Sequence, residues 1–357
     1  MRLLLAHAPS PIVREFCRRG IELISCNSSC SFNVIDELPA AFAPRQRTMN
    51  VSGRKKIHWG AIRTIRSRIL EFQPDVIHAF IPSSLAWSCL ATIGLKSPPK
   101  IVSYRGITRI PNRWDPADWI TYLSPRVAMH ACESHAVRDA MVQGGIPAER
   151  CEVTYNCMWE SHSSKSRCDW RDAWGIPEEE VVFGTVGTIR PVKGVDLLIQ
   201  AAEGLPRSLP WRIVLIGSIH DERVRELLRT SPVRDRILAI GESAEAVSAM
   251  QGFDVFVMPS RSEGLCRALI EAGTVGICPI VSDAGGMKEL VRHGVDGRVF
   301  PKEDVAGLQQ AMREALGNPA LRRRYADSVA RHVPSLCSAD RVADRMLDLY
   351  ARVICKS

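Results

Sequence analysis

A strand–loop–helix pattern occurs twice in succession between residues 252 and 301 and constrains the fold more than any other feature. The first apolar run is FDVFVMPS, and SEG leads from it into LCRALIEAG, a helical stretch that we expect to end at Gly273. The second apolar run, ICPIVSD, leads through Gly285-Gly286 into the helical stretch MKELVRHG. Strands joined by helices lie parallel, so this βαβα unit predicts a parallel sheet. Ligands of such sheets bind beyond the carboxyl ends of the strands.

Two carboxylates and the glycine pair fall at this predicted edge. Glu263 follows the first strand, and Glu271 lies eight positions later on the next helix. Carboxylates accept hydrogen bonds from the vicinal hydroxyls of a ribose or sugar, while glycines and helix N-termini admit phosphate. Glu271 could equally form an ordinary i,i+4 ion pair with Arg267, worth about 0.2–0.5 kcal/mol. The spacing alone leaves both interpretations open.

The same alternation extends over the whole chain and predicts an α/β protein of two domains, as its 357 residues also favour. Strand-like runs occur near residues 2–8, 21–26, 74–80, 100–106, 181–186, 211–218 and 237–242. A polar, unperiodic stretch at 160–172 is typical of an interdomain linker. We therefore expect domains at 1–160 and 161–334, and a last helix within 335–357, with apolar positions at Val342, Met346, Leu349 and Tyr350.

Composition excludes several classes of protein. The 47 basic and 39 acidic residues are too nearly balanced for a nucleic-acid-binding chain. The 12 cysteines are scattered without a zinc-like pattern, which favours free thiols in a reducing cytosol. We expect a cytoplasmic protein, because no secretory signal is evident and the longest apolar stretch, LAWSCLATIGL, is about half a membrane span.

Three features of the first half allow two interpretations each. The basic segment 51–72 is either an amphipathic helix facing anionic lipid, which would give peripheral contact at the inner face of a membrane, or a crossover helix that docks Ile62, Ile65 and Ile69 on the sheet. His78 either faces a cleft or is a structural histidine. Arg105, before Gly106, either binds an anionic acceptor or forms a structural ion pair.

Two stretches carry a family resemblance. SEGLCRALIEAGTVGICPIVSDAGGMKEL resembles the signature of the retaining nucleotide-sugar glycosyltransferases of family 4 (glycosyl transferases group 1), which have the GT-B fold. That signature has two glutamates separated by seven residues, then a Gly-Gly turn and a further glutamate, which here are Glu263, Glu271, Gly285, Gly286 and Glu289. FGTVGTIRPVKGVDLLIQAA, residues 183–202, is similar to the strand–loop–helix that carries a basic residue to the donor diphosphate.

The resemblance implies two Rossmann-like domains with parallel sheets facing across a cleft, and a last helix that crosses back onto the first domain. It implies Glu263 and Lys193 as the catalytic residues, with Glu263 orienting the transferred sugar and Glu271 holding the ribose hydroxyls. The remaining donor-binding residues that it implies are Arg190, Gly187, Thr188, Gly264, Leu265, Cys266 and Gly217. Arg105 and Gly106 would lie on the acceptor side.

The implied reaction is the transfer of a sugar, with retention, from a UDP-, GDP- or ADP-sugar to a glycan, lipid-linked or small acceptor, as in polysaccharide biosynthesis. No Asp-x-Asp motif offers a metal-binding pair, so metal independence is expected, and the glycines at 184, 187 and 194 do not form a nicotinamide-binding GxGxxG. The chain departs from the family at Ala8-Pro9-Ser10-Pro11, where relatives have a glycine-rich loop, and at Thr188, where they often have arginine. These departures favour an alternative, a non-catalytic GT-B scaffold that binds a nucleotide sugar or a partner protein; an epimerase is a third possibility.

Overall fold

A computed structural model describes residues 1–6, 10–27, 46–50, 58–157 and 165–355. The chain divides into two compact units, residues 1–157 with 339–357, and residues 158–338. The boundaries expected from the sequence, after residues 160 and 334, lie three and four residues from these. The second one differs because the helix that contains Pro334 continues to Cys337.

The first unit is an α/β layer structure. Its strands are β1 (Arg2–Ala6), β2 (Glu22–Asn27), β3 (Gln46–Asn50), β4 (Val76–Ala79), β5 (Lys100–Arg105), β6 (Val127–Cys132) and β7 (Cys151–Val153). Its helices before residue 158 are α1 (Ser10–Arg18), α2 (Trp59–Phe72), α3 (Pro82–Ala91), α4 (Pro116–Trp119) and α5 (His135–Gln143).

The strands of the first unit form one parallel sheet in the order β3-β2-β1-β4-β5-β6-β7. In the centre, Leu4 lies in register with Ile24 on one side and with Ile77 on the other. Leu3, Leu4 and Leu5 are all fully buried, as expected for a strand covered on both faces.

The second unit repeats the architecture. Its strands are β8 (Val181–Val186), β9 (Trp211–Ile216), β10 (Ile237–Gly241), β11 (Val255–Met258), β12 (Cys278–Ser282) and β13 (Arg298–Phe300). Its helices are α6 (Arg167–Trp174), α7 (Val195–Glu203), α8 (Glu222–Thr230), α9 (Ala246–Ala249), α10 (Arg267–Val275), α11 (Met287–Leu290), α12 (Val305–Gly317) and α13 (Pro319–Cys337). The sheet is parallel, in the order β10-β9-β8-β11-β12-β13. The two parallel sheets agree with the predicted fold class.

The last helix, α14 (Ala339–Cys355), belongs to the first unit. Its positions Val342, Met346, Leu349 and Tyr350 are buried against β1 and α1, where the rings of Phe16 and Tyr350 lie 6.1 Å apart. Ion pairs fix its exposed side, among them Arg19–Asp344 at 2.5 Å and Arg352–Glu152 at 2.9 Å. The apolar spacing of the sequence therefore corresponds to a face that packs on the first unit.

Helix α2 decides between the two interpretations of the basic segment. Ile62, Ile65 and Ile69 are buried in the core that α2 shares with α3 and α5. The crossover interpretation is correct for this helix, and the lipid-facing interpretation is wrong, because the apolar face of the helix is buried in the core and cannot contact lipid. Residues 51–57 of the segment lie outside the described residues.

Two local expectations were wrong. Helix α10 continues past Gly273 to Val275 and ends at Gly276 in the left-handed region (φ 78°). Gly273 permits close packing instead, since a Cβ there would lie 2.7 Å from Val333 of α13. The expected linker ends in helix α6, where Ser166 and Asp169 form a capping box and Trp170 is buried; residues 160–164 lie outside the described residues.

Two further results bear on the composition. No helix of the described ranges is long and apolar enough to cross a membrane. Ten cysteines of the described residues are free thiols, and eight of them are buried. Most of these thiols are therefore small apolar side chains of the core.

Candidate functional site

Four loops converge at the carboxyl edge of the second sheet, after β8, β9, β11 and β12. The first contact joins the loops after β8 and β9 through Gly187 and Gly217, whose φ angles are 131° and 136°. A Cβ on Gly217 would lie 2.1 Å from the carbonyl oxygen of Gly187, so only glycine fits there. The N–H of Ile189 also donates to the carbonyl of Ser218 at 2.8 Å. These two donor-binding candidates therefore hold their loops side by side.

The loops after β11 and β12 meet in the same way. Gly285 has a φ of 58°, and a Cβ there would lie 1.8 Å from the carbonyl oxygen of Glu263. The N–H of Gly286 donates to the carbonyl of Gly264 at 2.9 Å. The Gly-Gly pair thus brings the backbone of its loop against the loop that carries Glu263.

Lys193 and Glu263, the two residues implied as catalytic, lie together. The Lys193 Nζ donates to Glu263 Oε1 at 2.5 Å, and the Ser260 hydroxyl donates to the same oxygen at 3.0 Å. Burial lowers the pKa of Lys193, but the carboxylate of Glu263 opposes this through its charge and its hydrogen bond, and the net effect is a raised pKa. Lys193 is therefore a fixed cation at neutral pH, partly open to solvent with 27% of its side chain exposed.

The start of α10 presents free donors. Cys266 is the N-cap residue and adopts the left-handed region with a φ of 63°, which is rare for a residue with a side chain. The N–H groups of Leu265 and Cys266 have no acceptor among the described residues, as is usual at a helix N-terminus. Burial raises the pKa of the Cys266 thiol to about 12, so it is neutral here.

Glu271 does not form the ion pair that the sequence allowed. Within the described part of the chain, no ion pair closer than 4.0 Å joins Glu271 to Arg267. Glu271 is half-buried, and burial raises its pKa, while the charge of Arg267 lowers it only in part. A half-buried carboxylate without a described partner is expected to bind a ligand's donors rather than to stabilise the helix.

Arg190 and Thr188 complete this edge. The guanidinium of Arg190 is exposed and has no partner among the described residues. Thr188 is half-buried between Gly187 and Ile189. Two cations, free N–H groups and the carboxylate of Glu263 lie on the loops of one sheet edge, and the carboxylate of Glu271 lies on the helix that follows one of them. This arrangement suits a ligand with both phosphate and hydroxyl groups.

Arg261 and Asp196 are residues of this edge that the sequence reasoning missed. Arg261 donates to both carboxylate oxygens of Asp196, at 2.8 and 2.9 Å, and to Glu303 at 2.7 Å. Burial alone would raise the pKa of Asp196, but the hydrogen bonds and charge of Arg261 lower it. Asp196 lies inside the stretch 183–202 that carries the family resemblance, and Arg261 directly precedes the stretch that begins at Ser262, but neither residue was singled out from the sequence.

The first-unit candidates have other surroundings. Arg105 is only 2% exposed; its guanidinium donates to the carbonyl of Arg109 and lies 4.2 Å from the centre of the Tyr122 ring. It therefore has a structural environment, although its partners are a carbonyl and a ring and not the carboxylate expected.

Gly106 lies beside Glu133, whose carboxylate would be 3.0 Å from a Cβ at this position. Glu133 accepts from Tyr104 at 2.7 Å, and it was not singled out from the sequence.

Of the two interpretations of His78, the structural one is correct. It is fully buried, its Nδ1 lies 2.6 Å from the Tyr350 hydroxyl, and burial lowers its pKa to about 3. His130 is a second histidine of this kind, 2.7 Å from the Ser103 hydroxyl, with a pKa lowered to about 3 by burial and by Arg150 and Arg105. Among the described residues, no group of three or more His, Cys, Asp or Glu could hold a metal ion.

The fold and the second-unit edge define an α/β protein of the GT-B class, and comparisons with known proteins identify its family. The model "Glycosyltransferase Family 4" matches residues 12–158, and the model "Glycosyl transferases group 1" matches residues 166–332. These two models between them account for most of both units. The chain belongs to the GT-B glycosyltransferases that they describe.

Curated relatives are similar over part of their length. The lipopolysaccharide core biosynthesis mannosyltransferase LpcC of Rhizobium leguminosarum is 30% identical over 196 residues, covering 53% of this chain and 55% of that protein. The alpha-D-kanosaminyltransferase of Streptomyces kanamyceticus is 25% identical, covering 62% of this chain and 63% of that protein. The chain thus spans less than two thirds of either relative.

Solved structures share the fold. A glycosyltransferase from Rickettsia africae has a TM-score of 0.81 at 15% identity, covering 100% of this chain and 99% of that chain. HepE of Anabaena, solved in complex with UDP, has a TM-score of 0.79 at 17% identity, covering 98% of this chain and 99% of that one. At such identities the likeness concerns the fold.

Proposed function

We propose that this chain is a retaining glycosyltransferase that transfers a sugar from a nucleotide-sugar donor to a glycan, lipid-linked or small-molecule acceptor. One observation carries the proposal: Lys193, Arg190 and free N–H groups lie at the same sheet edge as Glu271, a carboxylate without a described partner. The cationic groups fit a diphosphate, and the carboxylate fits ribose hydroxyls. The family, and the UDP bound to HepE, support a nucleotide-sugar donor.

In the proposed reaction, charge develops on the leaving nucleoside diphosphate as the glycosidic bond breaks. Lys193, Arg190 and the N–H groups of Leu265 and Cys266 stabilise this charge, which is the role of preorganised donors in such reactions. Glu263 orients the transferred sugar, and the leaving phosphate assists removal of the acceptor's proton on the same face, with retention. These residues supply the charge stabilisation without a metal ion, so we propose that a chelator leaves the transfer rate unchanged.

The donor is tested by thermal unfolding against UDP-, GDP-, ADP- and CDP-sugars. A donor at 100 times its dissociation constant stabilises the protein by about 2.7 kcal/mol. We expect Glu271→Ala to remove this stabilisation, whereas Glu203→Ala leaves it, because Glu203 ends α7 and accepts from Ser231 away from the candidate edge. An unchanged response of the Glu271 variant would contradict the proposed role.

A non-catalytic scaffold that binds a nucleotide sugar is the second candidate, and the burial of Arg105 favours it. That burial withdraws the cation expected to bind an acceptor. Donor binding without hydrolysis or transfer, across glycan and lipid-linked acceptors, would identify the scaffold. A transferred sugar whose anomeric configuration matches the donor, determined by NMR, would identify the retaining transferase.

Location in the cytoplasm and peripheral contact with a membrane stay predictions. The buried isoleucines of α2 do not supply such a contact. The exposed arginine of this helix, Arg63, is the part of the predicted segment that anionic headgroups could attract. Sedimentation of the protein with anionic and with neutral vesicles tests the contact directly.

A further inference from the structure

The turn that carries Lys193 is attached to the neighbouring loop by its main chain. Pro191–Lys193 form one turn of 3₁₀ helix after β8. The N–H of Arg261 donates to the carbonyl of Val192 at 2.8 Å. Gly194, with a φ of 64°, lies so close to the other loop that a Cβ would be 2.1 Å from the carbonyl oxygen of Pro259. Residues 259–261 therefore form the wall against which this turn rests.

The side chain of Arg261 strengthens this attachment at several points. One terminal nitrogen donates to the carbonyl of Pro191 at 2.5 Å and to Asp196 at 2.8 Å, while the other donates to Asp196 at 2.9 Å. Its Nε donates to Glu303 at 2.7 Å. Asp196, in the first turn of α7, is 3% exposed. The guanidinium thus bonds both the turn that carries Lys193, at Pro191, and the helix after it, at Asp196.

The bonds of the Arg261 side chain are separate from the contact between Lys193 and Glu263. A diphosphate that binds Lys193 competes with Glu263 for the ammonium group, so the 2.5 Å contact between the two side chains opens or is shared. The bonds from Arg261 to Pro191, Asp196 and Glu303 involve neither Lys193 nor Glu263, so they do not depend on which partner the ammonium group has. The turn therefore has a fixed position when its lysine changes partner.

We propose that Arg261 is a positioning residue: together with Asp196 it fixes the turn of Pro191–Lys193, so that Lys193 reaches the terminal phosphate of a nucleoside diphosphate. This inference rests on the proposed function and adds a residue that acts through Lys193. All three guanidinium nitrogens of Arg261 have protein partners, which is the environment of a group that holds other residues in place.

The test measures how well the protein distinguishes a nucleoside diphosphate from the corresponding monophosphate. Dissociation constants for UDP and UMP, GDP and GMP, and ADP and AMP are measured by calorimetry, and the pair that the wild type binds best is used. Loss of a hydrogen bond between charged groups weakens binding by a factor of roughly 10 to 100. We expect Arg261→Met to weaken diphosphate binding at least about tenfold while monophosphate binding changes by less than about twofold. Loss of stability alone would weaken both equally.

Arg212→Met is the matched control. Arg212 forms a two-point ion pair with Glu180 at 2.7 and 3.1 Å, and its side chain is 31% exposed, against 28% for Arg261. Arg212 lies near the start of β9, at the opposite edge of the sheet. We expect this variant to keep the diphosphate-to-monophosphate ratio of the wild type. A ratio that falls as much as in Arg261→Met would overturn the inference.

Combining Arg261→Met with Lys193→Ala distinguishes a positioning role of Arg261 from direct contact between Arg261 and phosphate. Lys193→Ala should also lower the preference for the diphosphate over the monophosphate. Adding Arg261→Met to Lys193→Ala should not lower this preference further, because the positioned group is already gone. A further fall in the double variant would show that Arg261 acts on phosphate by itself and would overturn the inference. If Arg261→Met does not fold, Arg261→Lys serves, because an ammonium group cannot bond Asp196 and Pro191 as a guanidinium does.

Failure of the inference and failure of the proposed function give different results. If the wild type binds a nucleoside diphosphate and Lys193→Ala alone weakens it, the proposed function stands, and an unchanged Arg261→Met overturns only the positioning role. If the wild type binds none of the six nucleotides, the proposed function and the inference built on it both fail.

Discussion

Two groups of ionisable side chains, one from each unit, differ in depth, although the first six strands of the two sheets follow the same order. In the first unit, His78, His130 and Arg105 are at most 2% exposed and contact other parts of the same unit. In the second unit, Lys193 and Glu271 are half-buried and Arg190 is exposed, all at the carboxyl edge. A polar residue near a strand end is thus no guide to function by itself. What matters is whether another element covers it.

The largest expected effect concerns acid stability of the first unit. His78 and His130 have pKa values lowered to about 3, against about 6.5 in the unfolded chain, so the unfolded state binds protons first as the pH falls. Stability is complete above pH 6.5 and decreases toward pH 3, by about 2.7 kcal/mol per pH unit for two histidines. Hydrogen exchange of β4 and β6 between about pH 6.5 and 5 should show this loss, with the second unit less affected.

A variant with both His78→Gln and His130→Gln is the control for this difference, because glutamine keeps a hydrogen-bonding group but does not titrate. We expect the slope with pH between about 6.5 and 5 to disappear in that variant. Equal acid sensitivity of the two units in the wild type would contradict the comparison.

The next effect compares two cations. Lys193→Met should lower kcat/KM about 100-fold, since a single preorganised donor to developing charge contributes a factor of that order. Arg105→Met should leave kcat/KM within about twofold but lower the free energy of unfolding by about 2 kcal/mol, because it removes the bond to Arg109 and the contact with Tyr122. A large rise in the KM for the acceptor in Arg105→Met would contradict a purely structural role and would indicate that Arg105 binds the acceptor.

The smallest effect concerns the pH dependence of binding. Burial raises the pKa of Glu271 above its ordinary 4.5, so its carboxylate is protonated earlier on acidification than an exposed one. Protonation removes an acceptor for ribose hydroxyls, so nucleoside diphosphate affinity should fall about tenfold as the pH drops through that pKa. The affinity of Glu271→Gln for the nucleoside diphosphate should not show this fall with pH. If the wild type and the variant have the same pH dependence, Glu271 does not bind the ligand.

Much of the fold was predictable because it follows from local patterns. Buried parallel strands are nearly continuous apolar runs, so β1, β8, β9, β11 and β12 are recognisable in the sequence. The edge strands β3 and β13 were not predicted, since an edge strand of three to five residues needs no such run. Gly273 was misplaced as a helix end for a related reason, because its role depends on Val333, which is distant in sequence.

The candidate site was predictable where a motif carried it. Lys193, Glu263 and Glu271 were identified by resemblance, and the structure places Lys193 against Glu263. Spacing could not exclude a pair between Glu271 and Arg267, since i,i+4 neighbours are always within reach on a helix. Arg261 and Asp196 were missed because their partnership spans 65 residues.

The sequence by itself determined the alternation of strands and helices and the two parallel sheets, because periodicity and chain connectivity are local properties; the loops at which we propose that a ligand binds follow from the same connectivity. Only the tertiary structure decided which charged groups remain accessible. Tyr350 of α14 covers His78, and Arg109 with Tyr122 encloses Arg105. Burial is set by the elements that pack over a residue, and these come from distant parts of the chain.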